Sequence, residues 1–144
     1  TPIQVANAYR TLISGKLSNP YINKDNQNQS ESSIGATEDF VNFLLKDLNS
    51  VTNKGGTAYA SFQVLGNKVN DVGGKTGTAQ NSGDKNNTSW FVGIDSISNP
   101  RYIIATVIEE GGSGSAIAAP VTRRVIQSLR GMEPTPVKFG EITE

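Results

Sequence analysis

Apolar residues recur every three to four positions in three stretches of the chain and alternate or cluster in three others, which divides it into helices and strands. The first helical stretch opens on Thr1-Pro2-Ile3-Gln4: an N-cap threonine, a proline at the first helical position and a glutamine that completes a capping box. Ile3, Ala6, Arg10 and Ile13 form one stripe, with Val5, Tyr9 and Leu12 beside it, and Ser14-Gly15 is the stop signal. More than one apolar stripe predicts burial on two sides. A chain that opens directly on a helix cap reads as a piece of something longer.

Lys16 to Ala36 is polar and rich in Asn, Gln and Ser, and reads as a long surface loop with room for a short strand at Tyr21-Ile22. Thr37 then caps a second helix with Glu38 and Asp39 in its first turn, where carboxylates suit the helix dipole. Phe40, Val41, Leu44, Leu45, Leu48 and Val51 repeat at helical spacing, and Gly55-Gly56 supplies the predicted end. The second half reads as sheet. Strand candidates are a glycine-rich Asp71 to Ala79, an alternating Thr88 to Asp95, and Tyr102 to Ile108, which is apolar on both faces as a doubly covered strand would be.

Short polar connections predict an antiparallel meander of these three strands. After a Gly111–Gly114 linker, Pro120 opens a last helix with Val121, Val125 and Leu129 on its expected core face and Gly131 as terminator. The pattern is α+β, with one domain over residues 1–131 and a loosely held tail over 132–144 that carries Pro134 and Pro136.

Composition narrows the chemistry. Thirteen Lys+Arg balance thirteen Asp+Glu, so the basic excess that a nucleic-acid binder needs is missing. No apolar run reaches the ~18–20 residues of a membrane span, and no signal-peptide pattern stands at the start. There is no Cys and no His. Thiolate nucleophiles, Ser-His-Asp machinery and His-ligated zinc are therefore excluded, leaving lysine, carboxylates, hydroxyls and backbone amides. Glu109-Glu110 has no ligand companions, Asp95 reads as a turn residue, Arg123-Arg124 as a solvated face, and Trp90 and Phe91 as core and cleft wall.

One segment carries chemistry: Gly74-Lys75-Thr76-Gly77-Thr78-Ala79-Gln80. Lys75 offers a point charge, Thr76 and Thr78 offer hydroxyls, and Gly77 lets another backbone approach. Alternation puts Lys75 and Gly77 on one face and Thr76 and Thr78 on the other. Both pairs can serve one ligand only from a sheet edge, which also leaves backbone groups free to pair with an extended peptide. The expected ligand is peptide-like and carries a carboxylate.

The chain resembles the transpeptidase domain of penicillin-binding proteins. Thr1-Pro2-Ile3-Gln4-Val5-Ala6-Asn7-Ala8-Tyr9 looks like the helix after that family's second motif, and Gly55-Gly56-Thr57-Ala58 like the segment after its next helix. Lys75-Thr76-Gly77-Thr78-Ala79-Gln80 is similar to the third motif, and Ser89-Trp90-Phe91-Val92-Gly93 and Ala118-Ala119-Pro120 match the later strand and last helix. The Ala79-Gln80 continuation leans toward the monofunctional class B members, which build wall during elongation or division.

The resemblance implies a penicillin-binding/serine β-lactamase-like fold, truncated here, and a serine D,D-transpeptidase that cross-links peptidoglycan stem peptides ending in D-Ala-D-Ala and is acylated by β-lactams. In that family S-x-x-K, S-x-N and K-T-G surround the serine. Carried over, Lys75 supplies positive potential, Thr76 and Thr78 bind the substrate carboxylate, Gly77 admits the acyl chain, and the Thr78 N–H is half of the oxyanion hole. No metal or organic cofactor is implied. The resemblance also implies a catalytic domain on the outer side of the bacterial membrane (periplasm or cell-wall side), anchored by an N-terminal segment.

The first two motifs are where this sequence departs. Ser82-Gly83-Asp84-Lys85 fits S-x-x-K only in a polar loop after the K-T-G strand, and no S-x-N triplet exists; Tyr21-Ile22-Asn23 mimics a variant of it out of place. The expected nucleophile therefore lies on the N-terminal part of the same protein, outside this chain. In the family that part also flanks the Tyr102–Ile108 strand, so the 144-residue chain alone is expected to self-associate through that edge. A β-lactam or muropeptide sensor domain and a serine β-lactamase fragment are the competing readings.

Overall fold

The computed structural model describes residues 1–23, 25 and 30–137. Helix α1 (Pro2–Ser14) is capped as its sequence predicts: the Thr1 hydroxyl accepts from the Gln4 N–H, and the Gln4 side chain accepts from the Thr1 amine at 2.9 Å. Gly15 ends it in the left-handed conformation, φ 67°, which a side chain resists. The long loop holds no strand at Tyr21-Ile22, both of which are exposed. Instead β1 (Lys16–Leu17) and β2 (Ser32–Ser33) pair across its base, antiparallel. That pairing is favoured by Glu31, 3.1 Å from Lys16 Nζ and 3.7 Å from Arg10, which neutralises two cations at the point of closure.

Helix α2 (Glu38–Ser50) starts at Thr37, whose hydroxyl accepts from the Phe40 N–H. It ends well before Gly55-Gly56. The reason is polar: the Asn49 carbonyl accepts from the Thr52 N–H and hydroxyl and from the Asn53 amide, which turns the chain out of the helix. Gly56 then passes so close to the helix end that a Cβ there would lie 2.1 Å from the Ser50 carbonyl oxygen. A short helix α3 (Tyr59–Phe62) and a 3₁₀ stretch (Gln63–Asp71) follow, bent at Gly66 (φ 57°).

Strands β3 (Val72–Ala79), β4 (Thr88–Asp95) and β5 (Tyr102–Ile108) form the predicted antiparallel meander in the order β3-β4-β5. Val72 pairs with Asp95 and Ala79 with Thr88; Ser89 pairs with Ile108 and Asp95 with Tyr102. One sheet face packs against helix α4 (Ala119–Leu129) and the π turn before it (Gly114–Ala118); α1 and α2 cover the other. β5 is accordingly touched on both faces, and Ile103 to Ile108 are half-buried. Helix α1 is not: Ile3 and Leu12 stay exposed, and a groove of about 990 Å³ opens between α1, Ser18–Tyr21 and the start of β5.

The core lies between the β3-β4 sheet and α3, the 3₁₀ stretch and α4. Ala58, Phe62, Leu65, Val69, Val72, Phe91, Ala118, Ala119 and Ile126 are all buried there, with the Phe62 and Phe91 rings 5.4 Å apart. The buried face of α4 differs from the expected one. Val125 and Leu129 are exposed, whereas Thr122, Arg123, Ile126 and Gln127 are buried. Close approach decides this rather than hydrophobicity: Gly93 lies beneath Thr122, where a Cβ would come within 2.4 Å of the Thr122 methyl. The Thr122 hydroxyl is satisfied by Thr106 at 2.7 Å and by the Ala118 carbonyl at 3.1 Å.

Two further expectations are corrected. Arg123 is not part of a solvated face: it is 4 % exposed and donates to the Thr135 carbonyl. Burial, reinforced by neighbouring Arg124, pulls its pKa below the usual arginine value. The same contact shows that the start of the tail is tied down, since Gln127 also exchanges hydrogen bonds with Thr135. Residues 138–144 of that tail lie outside the described residues.

Asp95 is no turn residue but a buried carboxylate, 4 % exposed, that accepts from Arg130 Nε at 2.5 Å. Arg130 donates onward to the Lys68 and Asp71 carbonyls and so closes the end of α4 onto the entry to β3. Removing Asp95 leaves Arg130 partly exposed and still bonded to two carbonyls, with Asp71 at 3.9 Å, so the cost, about 2–3 kcal/mol, falls below that of a fully buried pair. Asp95→Ala is thus expected to lower stability by that amount in urea unfolding, with Asp95→Ala/Arg130→Met recovering part of it. A single substitution with the midpoint of the unsubstituted protein would show that the pair holds nothing.

Candidate active site

The Lys75-Thr76-Gly77-Thr78 segment occupies the second half of β3, at an edge of the sheet. The first half is buried, from Val72 to Gly74, and the second emerges into solvent. Gly74 explains the transition. A Cβ there would lie 2.4 Å from the tip of the Phe91 ring, so the aromatic core reaches to this point and no further. Asn49 of α2 and Thr52 in the turn after it anchor the strand's first residue, donating to the Val72 carbonyl at 2.7 and 2.6 Å.

Lys75 is exposed, and its ammonium donates to the Thr76 carbonyl at 2.9 Å. No carboxylate among the described residues comes within 4 Å of it. Gly77 lies on the Trp90 side of the sheet, where a Cβ would stand 3.1 Å from the Trp90 Cβ, and Trp90 is half-buried below it. Thr76 and Thr78 point to the α4 face. Thr76 Oγ1 is 3.3 Å from Thr57 Oγ1, and Thr78 Oγ1 accepts from the Gly114 N–H at 3.3 Å. The result is a strip with a cation and a row of hydroxyls on an open strand edge, suited to an extended chain ending in a carboxylate.

The residues that sequence reasoning passed over are Thr57 and the Ser113–Ser115 turn. Thr57 was visible only as part of Gly55-Gly56-Thr57-Ala58, with no chemistry of its own; the turn lay in what reads as a linker. Ser82 stands exposed in the loop between β3 and β4, at a turn with Gly83 at φ 73° and no helix behind it. Tyr21 lines the groove beside α1, and no residue of β3 reaches that groove.

A family model described as the penicillin binding protein transpeptidase domain matches residues 1–127. The chain is 26 % identical over 155 aligned positions to the peptidoglycan D,D-transpeptidase MrdA of Haemophilus influenzae, covering 88 % of this chain and 23 % of that protein. It is 38 % identical over 98 positions to a probable peptidoglycan D,D-transpeptidase PenA of Neisseria flavescens, covering 60 % and 24 % respectively. Among solved structures it superposes on penicillin-binding protein PBP2 of Helicobacter pylori with a TM-score of 0.75 at 26 % identity, over 91 % of this chain and 24 % of that one. The chain thus spans about a quarter of the length of these relatives. With most of its residues inside one family match, and its fold shared with a solved member, the chain belongs to the penicillin-binding protein transpeptidase domain family.

Proposed function

We propose that this chain supplies the K-T-G strand of a serine-type peptidoglycan D,D-transpeptidase of the class B kind, acting on stem peptides outside the cytoplasmic membrane. The observation that carries the reading is the solvent-facing edge of β3, where Lys75 and the Thr76 and Thr78 hydroxyls line a strand that leads out of the core. The stem peptide would pair along this edge as an added strand, its D-Ala-D-Ala carboxylate held by Thr76 and Thr78 within the field of Lys75. The serine would attack the penultimate D-Ala carbonyl, D-Ala would leave, and an amine on a neighbouring strand would take the acyl group. The Thr78 N–H would be one of two donors to the developing oxyanion, and donors aimed at that charge lower the barrier to acyl transfer more than most other devices do.

A β-lactam fits the same strip because it presents an acyl carbon and a carboxylate at similar separation. The nucleophile comes from the N-terminal part of the protein, for the described residues hold no serine and lysine at S-x-x-K spacing on a helix. D-Ala release from a stem-pentapeptide analogue by the full-length protein is the direct test, with the Lys75→Ala variant as its control. Turnover that survives that substitution would remove the K-T-G strand from the mechanism.

The sheet supports a second expectation. On its outer side β5 has no strand partner among the described residues. An antiparallel self-pair centred on Ala105 sets Tyr102 opposite Ile108, and Arg101 opposite Glu109 of a second copy, so apolar contacts and charge agree in one register. The 144-residue chain alone is expected to sediment as a dimer or larger species as its concentration rises. Monomer throughout would contradict this.

A further inference from the structure

A threonine hydroxyl has one proton and two lone pairs, so what it accepts decides where it can donate. In Thr78 one lone pair takes the Gly114 N–H at 3.3 Å. The hydroxyl proton cannot then point at Gly114 and is left for an acceptor along the open strand. This matters for a group meant to bind an anion, which only donors can do.

The Gly114 amide has little freedom to move. Thr78 pairs across the sheet with Ser89, a fully buried residue whose hydroxyl donates to the Ser113 carbonyl at 3.0 Å and accepts from the Ala118 N–H at 3.0 Å. One β4 side chain therefore holds both ends of the π turn. Ser61 of α3 donates to the Ser115 carbonyl at 2.8 Å and holds its middle. A single π turn is a rare conformation, frequent at functional sites. Its first residue must also be glycine: a Cβ on Gly114 would lie 2.4 Å from the Gly77 and Trp90 carbonyl oxygens and 3.0 Å from the Gly77 nitrogen. All three are backbone atoms of the sheet, and none can rotate aside.

We propose that Gly114 is a positioning residue for carboxylate recognition: its N–H, held against the sheet by Ser89 and Ser61, orients the Thr78 hydroxyl as a donor to the carboxylate of the peptide or β-lactam. The inference rests on the transpeptidase reading of the K-T-G strand and adds the element that aims it. Gly114→Ala pushes the turn off β3 and frees the hydroxyl to rotate. Because the Thr78 hydroxyl serves the carboxylate and not the reacting carbonyl, the loss should fall more heavily on the charged ligand.

The test compares acylation of the full-length protein by benzylpenicillin and by its neutral methyl ester. Gly114→Ala is expected to slow acylation by the acid several-fold, the scale of leaving a hydroxyl to choose among about three staggered positions, with a smaller loss for the ester. Thr78→Val should erase the preference for the acid, Thr78→Ser should keep it, and Gly114→Ala added to Thr78→Val should cost nothing more. Equal losses for acid and ester in Gly114→Ala, or no loss for either, would overturn the positioning role while leaving the strand reading intact. An acid preference that survives Thr78→Val would overturn both. Should Gly114→Ala not fold, hydrogen exchange decides: the Gly114 amide should be protected in the unsubstituted protein and in Thr78→Ser but exchange faster in Thr78→Val. Equal protection in all three would refute the proposal.

Discussion

Lys75→Ala in the full-length protein is expected to slow β-lactam acylation about ten- to hundredfold and to leave its melting temperature almost where it was. The two halves of this expectation have separate grounds. The side chain is exposed and its one hydrogen bond is to the carbonyl of its own neighbour, so folding loses little. Toward the carboxylate of the proposed ligand, however, the ammonium would make a charge-assisted interaction of about 1.5–3 kcal/mol, and about 1.4 kcal/mol is one decade in rate. Stopped-flow acylation with a chromogenic cephalosporin, alongside a thermal melt, measures both. A variant that acylates at the normal rate removes Lys75 from the site; one that melts many degrees lower shows that it is part of the scaffold.

The largest expected effect belongs to the 144 residues by themselves. They should take no label from a fluorescent penicillin and release no D-Ala. Oxyanion donors and a cation can hold an acyl group, but only a nucleophile can form the covalent bond, and members of such a unit lose nearly all their benefit when the nucleophile is absent. Ser82 is the one serine with a lysine at the right offset, and it stands in an exposed loop without a helix N-terminus to stabilise its alkoxide. Protein that includes the N-terminal part should be labelled there. A penicilloyl adduct found by mass spectrometry on any serine of the 144 would refute the assignment of the nucleophile to another segment.

Much of the frame could be read directly. β4 and β5 run over the residues that alternation and clustering indicate, and the Thr1 capping box and the Gly15 stop are both present, because each depends on local chemistry alone. The misreadings share a cause: contacts from far along the chain. The face of α4 is chosen by Gly93 beneath it, which lets Thr122 in and leaves Val125 and Leu129 outside. Asp95 and Arg123 look like surface charges until Arg130 and Thr135 arrive as partners. The helical turns between Tyr59 and Asp71 did leave a signal, since Ala58, Phe62, Leu65 and Val69 fall at helical spacing and all enter the core. Gly66 interrupts the run and hides it.

The candidate site divides in the same way. Lys75, Thr76, Gly77 and Thr78 are legible because cation, hydroxyl and glycine occur together in one short strand. Thr57 and Gly114 are not, because a single hydroxyl or amide becomes informative only when a fold sets it 3.3 Å from one of those residues.

The anchoring of β3 has a mechanical consequence. At its start the strand is gripped by Asn49 and Thr52, and near its end the Gly114 amide meets Thr78. The stretch between these anchors is Gly73 to Gly77, with Lys75 at its middle, and β4 holds it along one edge only. Any opening that admits a bulky acyl chain would therefore fall on the residues proposed to grip it. Loosening an anchor, even at Asn49 on the far side of the helix junction, would soften the grip without touching the ligand.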